Sequence, residues 1–210
     1  MPHFPSFEHW FPPSPPPKRR PAPAYTLRHP TEEDLAAIEG RFRDWMEQHG
    51  SIGPGRAWSR NLAATSWLAE ADGADADPAD ADPADADSAD AGEPGAAQAG
   101  RPLGILLGLA SPHTAGEASI QRIAVDPEFR RRGIGRALVS RFSDAQERSG
   151  ASRLTATCRP DDRPALAFFA ALGFRPNAGP GSRPLYGVPA FEDWEGPGED
   201  RVLLERPISP

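Results

Sequence analysis

Apolar residues recur along the chain in two rhythms. Several short runs, either continuous or alternating with polar residues, have the length and composition of β-strands. Five of them are Tyr25–Arg28, Ser66–Glu70, Leu103–Ala110, Ala118–Val125 and Arg153–Cys158. Between these runs lie stretches in which apolar residues recur every three or four positions, as on the buried face of a helix. This alternation predicts a mixed α/β domain.

Two helical stretches stand out. The first follows Thr31, which precedes three acidic residues and is typical of a helix N-terminus. Its apolar residues are Leu35, Ile38, Phe42 and Trp45. Gly40 marks a point at which this stretch could divide, so we expect one helix or two. The second stretch begins near Gly133, and Gly150 predicts its end. Its apolar residues are Ile134, Leu138, Phe142 and Ala145.

Two segments have neither rhythm. Residues 1–24 are dense in proline, which has no backbone N–H, and they predict a disordered tail without an apolar run of signal-peptide length. Residues from about 72 to 100 repeat the unit Ala-Asp-Ala-Asp-Pro and predict a disordered acidic insert between two strands. A single folded domain is therefore expected over residues 25–210, interrupted by this insert.

The acidic insert also dominates the charge of the chain, whose formal net charge is -7. Its eight aspartates and Glu93 leave 21 of the 30 acids against 23 Lys and Arg, so the remainder carries about +2. A nucleic acid would have to bind beside this polyanion, and RNA-binding motifs are missing, so no nucleic-acid partner is expected. The longest apolar run, Leu103–Ala110, is strand-sized, and no membrane span is expected.

The single cysteine, Cys158, excludes an internal disulfide, and no Cys and His residues have metal-ligand spacing. We expect no bound metal, a reducing cytoplasmic location, and a small buried role for Cys158 at the end of its strand.

The segment with the most chemistry joins the Ala118–Val125 strand to the second helix. Three consecutive arginines, Arg130–Arg132, precede Gly133 and Gly135 at the helix start. Glycines let a backbone approach an anion closely, and the N–H groups of a helix start attract it. This arrangement favours capture of a pyrophosphate. The third glycine of a Rossmann loop is absent, since Leu138 holds its position.

From Ile123 to Leu138 the chain resembles the acetyl-CoA signature of the GNAT superfamily, with its Gln/Arg-x-x-Gly-x-Gly/Ala core. Asp162–Phe174 resembles the second signature of that family, Asn-x-x-Ala-x-x-Phe-Tyr-x-x-x-Gly-Phe, with Asp162 in place of the usual Asn. The resemblance implies a mixed, mostly antiparallel sheet with flanking helices, in which two central parallel strands splay apart around the coenzyme.

The same resemblance implies the residues that contact acetyl-CoA. The strand before the loop would pair with pantetheine amides, the loop and helix start would hold the pyrophosphate, and the second signature would lie along the pantetheine arm. These three groups are Ile123, Ala124 and Val125; Arg130, Arg131, Arg132, Gly133, Ile134, Gly135, Arg136 and Ala137; and Asp162, Phe168 and Phe169.

The residues of the chemical step are less evident. In many relatives a Tyr that acts as general acid occupies the position of Phe169. Relatives that acetylate protein N-termini often also have a Glu at the position of Thr157. Tyr186, before the last strand, could protonate the thiolate, and Glu117 could relay a proton through water. Both also have ordinary structural explanations, as a packing tyrosine and as a carboxylate at a strand end.

Together these features predict an N-acetyltransferase that moves an acetyl group from acetyl-CoA to a primary amine by direct attack. The amine could belong to a small molecule or to a protein, and homodimerisation is compatible with the sequence. The alternative is a CoA-binding regulatory module with weak or no catalysis, which would keep the phosphate loop and lose the acid.

Overall fold

Seven strands form one sheet in the computed structural model, which describes residues 22–45, 62–72 and 100–208 of the 210-residue chain. The order across the sheet is β1-β2-β3-β4-β5-β9-β6, and β7 pairs with β8 in a separate hairpin. Neighbouring strands are antiparallel except for β4 and β5, which run parallel in the centre. The strands are β1 (Tyr25–Arg28), β2 (Trp67–Ala71), β3 (Pro102–Ala110), β4 (Glu117–Val125), β5 (Arg153–Cys158), β6 (Arg175–Pro176), β7 (Arg183–Leu185), β8 (Val188–Ala190) and β9 (Val202–Pro207).

Three α-helices flank this sheet in the described residues: α1 (Glu32–Trp45), α2 (Ile134–Arg148) and α3 (Arg163–Ala171). The Thr31 hydroxyl accepts from the N–H of Asp34 at 3.2 Å, while the Asp34 carboxylate accepts from the N–H of Thr31 at 2.6 Å. This reciprocal cap begins α1 where the sequence predicts it. The helix runs through Gly40 without a break, so the region is one helix.

The two faces of the sheet bury separate cores. On one face, α2 and α3 pack against the central strands in the larger core, which includes Phe142, Leu166 and Phe174. Gly108 lets Phe142 approach, since a Cβ at this glycine would lie 2.6 Å from the Phe142 ring. On the other face, Leu35 and Ile38 of α1 belong to a smaller core with β2 and β3. The mixed α/β architecture predicted from the sequence is confirmed.

Most predicted elements fall where the pattern places them. The bounds of β1 and β5 agree with the prediction, and β2 lies one residue later than Ser66–Glu70. The end of α2 also agrees, because Gly150 adopts a left-handed φ of 90° just beyond the helix. The predicted tail lies outside the described residues up to position 21, whereas Ala22 packs against the larger core and the carbonyl of Ala24 accepts from the N–H of Asp72. Residues 73–99, the bulk of the predicted insert, also lie outside.

Candidate active site

The central parallel strands separate along part of their length. Residues Glu117–Ile120 of β4 pair with Arg153–Ala156 of β5, and the ladder then ends. At this point Gln121 forms a bulge, because Ile120 and Arg122 pair with consecutive residues of β3. Beyond the bulge, β4 remains paired with β3 up to Val125 but no longer pairs with β5. This leaves an opening between β4 and β5. The edge of β4 that faces β5 is therefore available to a ligand carrying amide groups.

The loop after β4 leads directly to an exposed helix start. A short 3-10 turn, Pro127–Phe129, follows Asp126, whose carboxylate accepts from the N–H of Glu128 at 2.9 Å. Arg131 and Gly133 then adopt φ values of 65° and 96°, which turn the chain into α2. Gly133 accommodates this conformation at little cost because it has no Cβ.

The first turn of α2 presents its N–H groups outward. The earliest hydrogen bond of this helix runs from the N–H of Ala137 to the carbonyl of Gly133, at 3.0 Å. The N–H groups of Ile134, Gly135 and Arg136 precede it and have no acceptor within the helix. Gly133 offers no side-chain cap. Together with the helix dipole, these donors form a site suited to a phosphate or pyrophosphate.

Arginines surround this helix start, and several are held in place by the protein. Arg130 donates to the carbonyl of Val125 at 3.1 Å, and Arg136 donates to the carbonyl of Ala171 at the end of α3 at 3.2 Å. Arg132 donates to the carbonyl of Glu128 at 3.1 Å, and Arg131 is exposed. The positive charge beside the helix N–H groups is thus partly ordered by backbone acceptors, which favours binding of an anion.

The ring of Phe129 fixes the loop from within. The guanidinium carbons of Arg101 and Arg132 each lie 5.0 Å from the centre of this ring. Arg101 also forms ion pairs with Asp126 at 3.2 Å and Glu128 at 2.9 Å. These contacts tie Arg101, the residue just before β3, to the turn after β4 and so support the arginine loop.

One aromatic residue of the second signature, Phe168, lies beside this loop. A Cβ at Gly135 would lie 3.2 Å from the Phe168 ring, so Phe168 borders the helix start. Phe169 is only 4% exposed, with its ring 5.3 Å from that of Phe168 and 5.2 Å from that of Phe174. Asp162 caps α3 by accepting from the N–H of Ala165 at 2.9 Å. In this structure Phe168 lies against the loop, Phe169 belongs to the core, and Asp162 begins the helix.

Comparison with known proteins agrees with this geometry. A model of the acetyltransferase (GNAT) family matches residues 60–174, more than half of the chain. The chain belongs to the GNAT acetyltransferase family. A GNAT relative, the L-2,4-diaminobutyric acid acetyltransferase of Nocardia farcinica, is 32% identical over 98 residues, which cover 47% of this chain and 51% of the relative. The [ribosomal protein bS18]-alanine N-acetyltransferase of Escherichia coli is 40% identical over 58 residues, or 28% of this chain and 39% of that protein.

The chain thus spans about half, or less, of the length of these two relatives. The crystal structure of Ard1 from Thermoplasma volcanium superposes with a TM-score of 0.62 at 18% identity, covering 89% of this chain and 99% of that one. Identity at that level establishes the fold alone. The mixed, mostly antiparallel GNAT sheet with its parallel central pair, which the sequence resemblance implied, is confirmed.

The two predicted acid–base candidates lie in different places on the GNAT fold. Glu117 begins β4 and forms an ion pair with Arg153 of β5 at 2.8 Å. It is eight residues from Val125, or about 26 Å along an extended strand, so it lies at the paired end of the opening. Tyr186 is 65% exposed, and its carbonyl accepts from Arg163 of α3 at 2.6 Å. The structure thus places the backbone of Tyr186 at the start of α3, whereas Glu117 lies at the paired end of β4.

One carboxylate near the opening was not anticipated from the sequence. Glu195, in the loop between β8 and β9, lies with one carboxylate oxygen 3.5 Å from the hydroxyl of Thr157. Its other oxygen accepts from Arg201 at 2.7 Å. Glu195 belongs to an irregular stretch rich in Gly, Pro and acids. Periodicity and motif spacing therefore offered no signal for it.

Cys158 ends β5 with its thiol buried, as predicted for a small apolar residue. Burial raises the pKa of Cys158 to about 12, so this thiol is not a nucleophile at neutral pH. Within residues 22–45, 62–72 and 100–208, no group of His, Cys, Asp and Glu side chains could hold a metal ion. None of the helices in these ranges is long and apolar enough to cross a membrane.

Proposed function

We propose that this protein is an N-acetyltransferase that transfers the acetyl group of acetyl-CoA to a primary amine by direct attack. The observation that carries the proposal is the helix start at Gly133, where outward N–H groups lie at the end of β4 that has separated from β5. A pyrophosphate and an amide-bearing arm could then bind together, the first at the helix and the second along the strand.

Individual residues have distinct roles in this proposal. The N–H groups of Ile134, Gly135 and Arg136 would hold the pyrophosphate, with Arg130–Arg132 adding positive charge. The free edge of β4 at Ile123–Val125 would pair with the amides of the pantetheine arm. Phe168 borders the helix start at Gly135 and would exclude water from it. Acetyl-CoA supplies an activated acetyl thioester, and the thiolate is a tolerable leaving group near neutral pH.

The acceptor class follows from chemistry that two relatives share by name. One is named for L-2,4-diaminobutyric acid and the other for an alanine of a ribosomal protein, and both carry a primary amine. We propose a primary amine as the acceptor, on a small molecule or on a protein. The single buried cysteine suits a reducing, cytoplasmic compartment.

The test is turnover by the purified 210-residue chain. Acetyl-CoA is supplied with a panel of amines: L-2,4-diaminobutyrate, L-lysine, spermidine and a peptide with an N-terminal alanine. We expect thiol release above the acceptor-free rate with at least one amine, and mass spectrometry should identify the acetylated product. CoA binding by calorimetry without acetylation of any amine would favour the CoA-binding regulatory module instead.

A further inference from the structure

The loop between β8 and β9 is built to hold its side chains in place. Phe191 and Arg201 close it with two backbone hydrogen bonds, of 2.8 and 3.0 Å. Within it, the carboxylate of Asp193 accepts from the N–H of Gly198, and the N–H of Asp193 donates to Asp200 at 3.0 Å. The ring of Trp194 lies 5.3 Å from that of Phe191. This region is therefore an ordered loop rather than a loose connection.

Arg201 anchors two carboxylates of that loop. Arg201 is only 6% exposed, and its Nη2 atom lies 2.7 Å from a carboxylate oxygen of Glu195 and from one of Glu199. Burial opposes the charged form of this arginine, but hydrogen bonds and attraction from both glutamates hold its pKa above the ordinary value. One fixed positive charge thus orients two negative ones, and the group retains a net charge of about -1.

The position of Glu195 relative to the sheet suggests a use for that charge. Its nearer carboxylate oxygen lies 3.5 Å from the hydroxyl of Thr157. Thr157 is the first residue of β5 beyond the last pair with β4, Ile120 with Ala156. Glu195 therefore contacts β5 at the point where the two strands begin to separate. Glu199 shares the arginine, but no contact joins it to β5 among the described residues.

We propose that Glu195 is a catalytic residue that takes a proton from the ammonium group of the acceptor, and this inference rests on the proposed function. An alkyl ammonium of the lysine kind has a pKa of about 10.4, so almost all of it is protonated at neutral pH. One proton passes to Glu195, directly or through one water, and the free amine attacks the thioester carbon. The C–N bond forms as the C–S bond breaks, and the thiolate and the nitrogen's second proton leave as the thiol.

The test compares two variants, each of which removes one carboxylate charge next to Arg201. Glu195→Gln and Glu199→Gln each delete a carboxylate 2.7 Å from Arg201, but only Glu195 contacts β5. With the best amine of the panel at pH 7, we expect Glu195→Gln to lower kcat/KM by about 10²–10⁴-fold. Glu199→Gln should lower kcat/KM by less than about threefold, because an exposed charge contributes little. CoA affinity and the free energy of unfolding are measured for both.

A pH profile distinguishes loss of a base from loss of structure. Without Glu195, only amine that is already unprotonated can react, so kcat/KM of Glu195→Gln should rise about tenfold per pH unit between pH 7 and 9. The defect relative to the parent should shrink over the same range. A purely structural defect would leave the ratio of variant to parent constant with pH.

A double variant tests the proposal from the opposite direction, by restoring a carboxylate at the same place. Thr157→Glu combined with Glu195→Gln returns a carboxylate to the same place from β5 itself. We expect this double variant to recover at least about tenfold of the lost kcat/KM. Equal losses for Glu195→Gln and Glu199→Gln, or no rescue, would overturn the role of Glu195 alone. A parent that acetylates no amine would overturn the proposed function, and the base with it.

Discussion

At the scale of single residues, Gly135 carries the most direct test of the proposed pyrophosphate site. A methyl group there would lie 3.2 Å from the ring of Phe168 and 3.6 Å from Val125, so it would crowd the helix start. Alanine also favours a helix over glycine by about 1 kcal/mol, which offsets this crowding. We expect Gly135→Ala to change the free energy of unfolding by less than about 1 kcal/mol and to weaken CoA binding about tenfold by titration calorimetry.

Gly133 provides a contrasting variant within the same helix start, because its surroundings differ from those of Gly135. Nothing lies within 4 Å of a Cβ at this position, but its φ is 96°. Gly133→Ala should therefore cost about 1–2 kcal/mol of stability through backbone strain. Parental CoA affinity in Gly135→Ala would show that the first turn of α2 does not bind the coenzyme.

Phe169 and Phe168 are neighbours with different burial. Phe169 is 4% exposed between two other phenylalanines, so a hydroxyl added to its ring would enter an apolar core. We expect Phe169→Tyr to lose about 1–3 kcal/mol of stability in urea unfolding and to gain no turnover. Phe168→Tyr, on the half-buried ring beside the loop, should lose less than half of that. A large rise in turnover for Phe169→Tyr would instead show that the position can donate a proton to the thiolate.

The phosphate loop and Glu195 differ in how far sequence reasoning could reach. The chemistry of the loop is local: an arginine run, two glycines and a helix start fall within a few residues, so Gly133 and Gly135 could be predicted as binding residues from the sequence alone. Glu195 depends on partners 38 and 6 residues away, Thr157 and Arg201. Only the fold brings these residues together, which is why the pattern favoured Tyr186 and Glu117.

At the scale of secondary-structure elements, one arginine connects three of them. Arg28 of β1 lies 2.6 Å from Asp34 of α1 and 2.6 Å from Glu70 of β2. Hydrogen bonding to Arg28 lowers the pKa of Asp34 to about 2, from an ordinary value of 3.8. The charged pair therefore stabilises the fold above about pH 4, and this contribution disappears as the pH falls toward 2.

The corresponding prediction concerns stability in acid. Asp34→Asn should lose about 1 kcal/mol at pH 6, after allowance for solvent screening, and the loss should vanish near pH 2. Urea unfolding between pH 2 and pH 6 measures both values. Glu33→Gln is the matched control, since it removes an exposed carboxylate from the same helical turn, and its loss at pH 6 should be smaller than that of Asp34→Asn. A loss for Asp34→Asn that stays constant with pH would contradict the ion-pair explanation.

Elements with regular patterns could be predicted, and elements set by backbone turns could not. The alternation in β5 and the helical spacing in α2 come from one buried face, so their bounds are visible in the sequence. The β7–β8 hairpin turns at Tyr186 and Gly187, with φ values of 50° and 85°. Such a turn usually carries Asn or Asp before glycine, and tyrosine conceals it. In α1, packing of Leu35 and Ile38 against the sheet outweighs the low helix propensity of Gly40.

For the whole molecule, the acidic segment should be separable from the fold. Its described flanks lie side by side, because the N–H of Ala71 donates to the carbonyl of Arg101 at 2.9 Å. A short linker can span that distance, and loop closure entropy changes by only about 0.6 kcal/mol per doubling of length. We expect that replacing residues 73–99 by a short Gly/Ser linker will leave CoA affinity within about twofold of the parent. The free energy of unfolding should change by about 1 kcal/mol or less. Loss of CoA binding in the folded variant would assign the segment a part in the site.

The short ladder between β4 and β5 determines how the two parts of the sheet are joined. Those four residue pairs are the only strand pairing between β1-β2-β3-β4 and β5-β9-β6 in the described chain. Side-chain ties reinforce the junction on one face, where Arg206 of β9 donates to Ser143 of α2 at 2.7 Å. Because so few backbone hydrogen bonds cross this junction, the two parts of the sheet are joined mainly by the larger core, which takes side chains from β4, β5 and β9. Substitutions that weaken that core should therefore loosen the junction before they loosen either part.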